Sequence, residues 1–385
     1  MPSADVLAQL AADHPCLWGN ISTPEAATWV MEASARLVPT RSTGKSGPRW
    51  WDARRQGGLD RQGHPIGALT DRRGSRLIYP LPQPTGDLNE LPATRMARPL
   101  ALYGGTLFEH FGHLLLDLTR TYQLLRLFRR STEPIWFHYP EQTKKSTVRS
   151  KGSAGDEQIH PLVDEWLRCL GIRKRVRLIR RSLETSMLMS SSVLYRDREF
   201  VTADFPEAAR AALAPRLRKR LLKVERRPGR IAYFSRHKLQ QGTTCFEGEQ
   251  EVVDALAGLP NVDVICAEEL SIREKLKLFR RYALITGFPQ AALHLKYFVP
   301  YRQPSELASL FLFTAGPRSL NSNWVNLDRV YSFGDRLLDC TPSPAPAGEA
   351  SPARAGEGQD DGSFQRRNPF AVGRVIDTMR ELAGQ

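Results

Sequence analysis

The sequence predicts an α/β protein of two domains, the second built on a parallel sheet. Three observations carry this. Between Arg230 and Phe298, short runs of strand formers alternate with amphipathic stretches of helical period. A similar, less regular alternation fills the chain before it. The 385 residues, 41% hydrophobic and 25% charged, suffice for two ordinary globular cores. Strands joined by helices of this length imply right-handed crossovers and parallel pairing. Composition sets the boundaries: 1–205 for the first domain, 206–228 for a basic linker helix and 229–340 for the second domain. Residues 341–367, rich in Pro, Ala, Gly and Ser, predict disorder, and 368–385 a closing helix.

Residues 1 to about 45 read as helical, with Thr23-Pro24 as a start signal and Trp29, Val30 and Leu37 on a core face. Residues 41–75 are basic and Gly-rich. The embedded Trp50-Trp51 pair either stacks on a ligand or anchors a loop. Arg76–Pro80 and Pro99–Tyr103 read as strands. From Phe108 a helix is expected. His110, His113 and Asp117 fall on one of its faces, beside Leu114, Leu118 and Leu125. This polar stripe admits three readings: a metal site, a hydrogen-bonded structural cluster, or a catalytic base. The metal reading lacks a visible fourth ligand and the His-Glu-x-x-His order. The catalytic reading needs a base at a cleft, which an imidazole oriented by a carboxylate provides. Ile135–Tyr139 reads as a strand, 141–158 as a flexible loop, and Pro161–Leu170 as a helix stopped by Gly171. Strands follow at Arg175–Ile179 and around Met187–Leu194.

Residues 206–227 read as one basic amphipathic helix. Eight Lys or Arg lie between Arg216 and Arg230, and Leu217, Leu221 and Val224 supply an apolar face. Such a helix docks on anionic lipid or serves as a solvated linker.

The second domain opens with a strand at Arg230–Ser235. Thr244 and Glu247 stand at capping-box spacing before a helix with Val252, Val253 and Leu256 on one face. Val262–Cys266 is a second strand. Ser271–Glu274 is a better capping box, followed by Ile272, Leu276 and Phe279 at helical spacing. Tyr282–Thr286 is a third strand ending at Gly287, and Pro289 suits the first position of a helix. Leu310–Thr314 and Arg329–Phe333 complete the strands, with Asn321, Asn323 and Trp324 in a polar loop between them. Asn368-Pro369 reads as the start of the final helix.

In an open α/β sheet, ligands lie outside the carboxyl ends of the strands. Those ends carry Ser235 and Arg236, then Glu268 and Glu269, then Gly287 to Gln290. Arg236 has the fork that matches a phosphate, and a helix N-terminus after Pro289 would hold an anion.

Ser235-Arg236, Glu247 or Glu249 opening a helix, Glu269-Leu-Ser271, and Gly287 with Ala291, Leu293 and Phe298 resemble the C-terminal half of glycosyltransferase family 61. The N-terminal helix resembles it too: His113, Asp117 and Arg120 match a His-x-x-x-Glu/Asp pattern followed by Arg. The family includes plant xylosyl- and arabinosyltransferases, animal N-acetylglucosaminyltransferases and bacterial capsule-type proteins, and this chain looks like the last. The resemblance implies a GT-B architecture, two Rossmann-like domains facing a cleft. It implies inverting transfer from a nucleotide sugar, usually a UDP-sugar, as co-substrate, with no other cofactor and no essential metal. It assigns Asp117 or His113 as the base, without deciding between them, and Arg120 as a support. Donor binding falls to Ser235, Arg236, Glu247, Glu269, Gly287, Gln290 and His294. There is one departure. The family pattern Gly-x-His-Gly-Ala reads Gly287-Phe-Pro-Gln-Ala291 here, with Pro289 in place of the His. His294, about one turn further on, stands either as its substitute or as an ordinary helix residue.

A net charge of +14 calls for anionic partners. A diphosphate donor and a glycan or lipid-linked glycan acceptor at an anionic membrane surface meet that need. Nucleic acid does not, because no recognition motif accompanies the charge. Five cysteines, far apart and without CxxC, exclude a disulfide framework or zinc finger and point to a reducing compartment. No signal peptide or apolar span is visible, so the expectation is a cytoplasmic protein, peripheral to the inner membrane. The competing expectation is a non-catalytic binding or scaffold protein on the same fold, allowed by the altered turn at Pro289.

Overall fold

A computed structural model describes residues 27–42, 54–73, 76–78, 93–139, 159–197, 199–239, 244–315, 322–342 and 367–384. The readings made for Thr23-Pro24, Trp50-Trp51, the 141–158 loop, Asn321 and 343–366 lie outside these residues. The chain divides into two compact units, the first ending at Leu217 and the second beginning at Arg218.

The first unit is built on a mixed sheet. Its strands are β1 (Trp29–Ser42), β2 (Arg54–Leu59), β5 (Thr94–Arg95), β6 (Leu100–Thr106), β7 (Ile135–His138), β8 (Val176–Leu178) and β9 (Leu183–Ser191), in the order β2-β1-β9-β6-β7-β8 with β5 beside β9. Small pairs form at β3 (Asp71–Arg73) with β4 (Arg76–Ile78) and at β10 (Tyr195–Arg196) with β11 (Phe200–Val201). The strands β9, β6, β7 and β8 are mutually parallel. The helical reading of 1–45 is corrected from Trp29 onward: this stretch is β1, antiparallel to both β2 and β9. Buried Ala35 and Leu37 alternate with half-exposed Arg36, so the sheet face, rather than a helix stripe, takes the apolar residues.

Helices α1 (Phe111–Leu116) and α2 (Thr119–Phe128) cross from β6 to β7, and α3 (Pro161–Leu170) from β7 to β8. The single helix expected from Phe108 is interrupted at Asp117 and Leu118. The Tyr122 hydroxyl donates to the Leu115 carbonyl (2.6 Å). That bond satisfies an acceptor at the break, where the regular ladder is lost. Gly171 ends α3 in the left-handed region, φ 76°, as the sequence predicts. The single basic helix expected over 206–227 is two, α4 (Phe205–Ala212) and α5 (Pro215–Leu221). Leu213 is extended, and Pro215 lacks the N–H and disfavours helix just before it. Arg129 donates to the Ala211 and Ala212 carbonyls at the end of α4. Because α4 packs on α2, it belongs to the first unit and is no linker.

The second unit is a five-stranded, wholly parallel sheet of β12 (Arg227–Ser235), β14 (Val262–Cys266), β15 (Tyr282–Gly287), β16 (Ser309–Thr314) and β17 (Arg336–Asp339). Its order is β14-β12-β15-β16-β17. Counted along the chain this is 2-1-3-4-5, a doubly wound sheet whose topological switch lies between β12 and β15. The crossovers are α6 (Glu249–Leu256), α7 (Ile272–Arg281), a 3-10 helix (Ala291–Phe298) and α8 (Ser322–Tyr331). The capping box at Ser271 forms as expected: Glu274 N–H donates to Ser271 Oγ (3.2 Å), and Ser271 N–H to Glu274 Oε2 (2.8 Å). The box expected at Thr244 does not form. Cys245–Glu247 is instead a short strand, β13, paired with β18 (Arg367–Pro369), and Gly248 precedes α6.

Two further elements differ from expectation. Arg329–Phe333 is no strand: Arg329 to Tyr331 end α8, and the last sheet strand is β17. Asn368-Pro369 lies in β18, and the closing helix α9 spans Val372–Leu382. By analogy with GT-B enzymes this helix would return to the first domain. It packs instead on α6 of its own unit, where Val375 and Met379 join Val252, Leu256 and Phe288 in one core.

Candidate functional site

The switch point gathers several of the residues singled out in the sequence. Ser235 ends β12, fully buried, with its Oγ 2.7 Å from His237 Nδ1 and accepting from His237 N–H (3.1 Å). Arg236 follows. Its backbone N–H donates to Glu249 Oε1 (3.1 Å). Its guanidinium makes no hydrogen bond or ion pair among the described residues, and Nε is buried without a partner. Burial pushes the Arg236 pKa down, against the opposing fields of Glu249, Glu268 and the Cys245 thiol. A desolvated cation whose fork meets no acceptor is the group that an anion would satisfy. Glu249, 3% exposed, also accepts from the Tyr233 hydroxyl (3.3 Å), and burial pushes its carboxyl up to about 7. A carboxylate displaced this far, at a strand end, is a mark of functional sites.

On the other side of the switch, Gly287 has φ 134°, and a Cβ there would come within 2.5 Å of the Phe234 carbonyl oxygen. Only glycine allows this approach. Phe288 stacks on Phe246 at 3.9 Å and meets Phe370 edge-on at 4.7 Å. Gln290 Nε2 donates to the Phe234 carbonyl (2.9 Å), tying the turn to the end of β12. The helix expected to begin at Pro289 is a 3-10 helix starting at Ala291, with Gln290 at its N-cap. His294 is buried and stacked on Trp324 at 4.1 Å. It also stacks on Tyr297 at 5.9 Å. Glu247 is exposed on β13 and Glu269 is exposed with Lys238 (3.0 Å). Neither bonds Arg236; Glu249, two residues beyond Glu247, does.

In the first unit, the carboxyl end of β6 leads into α1. There His113 Nδ1 lies 2.8 Å from Asp117 Oδ2, both side chains partly exposed. The ring of His110 is 5.0 Å from that of His113. The helix break at Asp117 keeps the i, i+4 reach between imidazole and carboxylate. Arg120 is 2% exposed and donates to the Ala68 and Thr70 carbonyls, 2.8 Å each. It anchors the chain segment before β3. Sequence reasoning missed Glu109 and Tyr139, which bond at 2.8 Å near the carboxyl ends of β6 and β7, with Arg180 over the Tyr139 ring at 5.9 Å. Burial pushes the Tyr139 hydroxyl far up, so it stays a neutral donor. Their place just after two apolar strands was the available signal. Among the described residues, no three His, Cys, Asp or Glu side chains are arranged to hold a metal ion. Also among them, no helix is long and apolar enough to cross a membrane.

A doubly wound sheet whose switch point holds an arginine fork unsatisfied among the described residues, in a chain that also carries a His–Asp pair on its other α/β unit, suits an enzyme that moves a group from an anionic donor. The chain is a glycosyltransferase. Residues 111–302 match the family model Glycosyltransferase 61, which supports membership of that family. The match takes in His113, Asp117, Arg120 and every switch-point residue from Ser235 to His294. It favours an enzyme over the scaffold reading. None of the curated proteins compared matches the chain.

Proposed function

We propose that the protein is an inverting glycosyltransferase of GT-B architecture. Its first unit serves the acceptor, and its second unit holds a nucleotide-sugar donor, a UDP-sugar. The observation that carries this is the Arg236 guanidinium: desolvated, without a hydrogen-bond partner among the described residues, and placed at the switch point where doubly wound sheets bind nucleotides. In the reaction an acceptor hydroxyl oxygen attacks the anomeric carbon. The bond from that carbon to the diphosphate oxygen breaks, and the nucleoside diphosphate leaves with the electron pair. The His113–Asp117 pair takes the hydroxyl proton. Arg236 carries the charge that grows on the leaving oxygen, a task that needs no metal in this reading. The acceptor is a glycan or lipid-linked glycan, as in surface polysaccharide or capsule biosynthesis. Thermal shift against UDP, GDP, CMP, TDP and their sugars tests this. A ligand specific to the native state adds about 2.7 kcal/mol at a hundredfold excess over Kd. A UDP compound is expected to give the largest rise, and silence from every nucleotide would sink the proposal.

The same reading places the enzyme in the cytoplasm, on the anionic face of the inner membrane. Arg216, Lys219, Arg220 and Lys223 are exposed and unpaired among the described residues, and Leu222 is 40% exposed beside them. No aromatic residue that would stack on a base lies between Pro215 and Arg230. Cations flanking an exposed leucine suit anionic lipid, at about 1 kcal/mol per basic residue near the surface. Co-sedimentation with phosphatidylserine vesicles is expected, and loss of it in a K219Q/R220Q/K223Q variant. Equal binding to phosphatidylcholine alone would refute the lipid role.

A further inference from the structure

Glu249 is a buried charge at the switch point that the transfer reaction does not itself use. It is the first residue of α6, and its carboxylate reaches back to β12, accepting from Arg236 N–H and Tyr233 Oη–H. Gly248 before it, at φ 90°, packs against Val372 of α9, where a Cβ would come within 2.7 Å. The carboxylate is therefore held by two donors of β12, and the turn that carries it is packed against α9. We propose that Glu249 is a positioning residue that fixes the Arg236 backbone and takes up a proton from solvent when a diphosphate binds the Arg236 guanidinium. This rests on the donor reading above.

The reason is electrostatic. A carboxylate on the Arg236 backbone N–H and a diphosphate on the same residue's guanidinium repel strongly where water is scarce. The diphosphate of a sugar nucleotide cannot take a proton near neutrality, so the carboxylate must. The other groups facing Glu249 do not compete. Tyr233 and Ser235 come from β12, Cys245 from β13 and Cys266 from β14. Burial pushes the Tyr233 hydroxyl and both thiols up, which keeps them neutral. Arg236 remains the cation, and Glu268, which faces Arg236, is exposed. Glu249 itself sits close to neutrality, at about 7. Once protonated it keeps a carbonyl oxygen to accept from Arg236 N–H, so the turn survives the change.

The test is calorimetric titration of UDP-glucose into the full-length protein at pH 7, in two buffers of different ionisation enthalpy. Net proton uptake is expected in the wild type and not in Glu249→Gln, which keeps the acceptor oxygen but cannot titrate. Wild-type affinity should rise several-fold from pH 8 to pH 6 and stay flat in the variant. Tyr233→Phe removes one donor to the carboxylate, so its midpoint should move upward; this arm stands even if Glu249→Gln fails to fold. Binding without proton uptake, or uptake that persists in Glu249→Gln, overturns this inference and leaves Arg236 as the donor site. No binding at all overturns it together with the donor reading.

Discussion

Asp117→Asn is expected to lower kcat by about two to four orders of magnitude, the usual contribution of general base catalysis. The 2.8 Å contact to His113 Nδ1 explains why. If the imidazole accepts the acceptor proton, the carboxylate holds the tautomer and stabilises the imidazolium, and an amide does neither. If the carboxylate accepts the proton, the amide removes the base outright. Both side chains are partly exposed, so the substitution buries no new unsatisfied group, and the melting temperature should hold. His113→Ala separates the two roles through the pH profile of kcat/KM. A wild-type acid limb in the imidazole range, about 6–7, that His113→Ala abolishes assigns the base to His113. A limb in the carboxylate range assigns it to Asp117. Full activity in Asp117→Asn would remove the pair from catalysis.

The second large effect is expected at Arg236. Arg236→Ala should weaken nucleotide-sugar binding by about 2–5 kcal/mol, at least about thirtyfold in Kd. Stability should move the other way or not at all. The guanidinium is desolvated and makes no protein hydrogen bond among the described residues, so the fold loses no bond with it and sheds a cation that burial penalises. A structural arginine would show the opposite pair of changes, lower melting temperature with unchanged Kd. Arg236→Lys keeps the charge but not the bidentate fork, and should recover only part of the affinity.

Much of this site was legible in the sequence. Ser235, Arg236, Gly287 and Gln290 do meet at one switch point, because a strand end is a local property and the alternation of strands and helices decides which ends share an edge. Glu249 is the instructive case. Its neighbour Glu247 stood at capping-box spacing from Thr244, and the box was the natural reading. Pairing of Cys245–Glu247 with Arg367–Pro369, more than a hundred residues later, makes that stretch a strand, exposes Glu247 and carries Glu249 inward. Arg120 matched a family pattern, yet its bonds run to Ala68 and Thr70, about fifty residues earlier.

The sequence by itself determined the parallel α/β character of the second unit, the Ser271 cap of α7, the Gly171 stop of α3 and the His113–Asp117 reach. Each follows from period, cap or spacing within a few residues, where local free energies decide. Only the tertiary structure decided that Trp29–Ser42 is a strand, that the basic stretch breaks at Leu213, that α9 covers its own unit, and that Glu249 rather than Glu247 faces Arg236. Those outcomes depend on partners distant in the chain: β9 for β1, α2 for α4, α6 for α9, and β18 for β13. Pairing and burial across such distances outweigh the tenths of a kilocalorie by which local propensities differ.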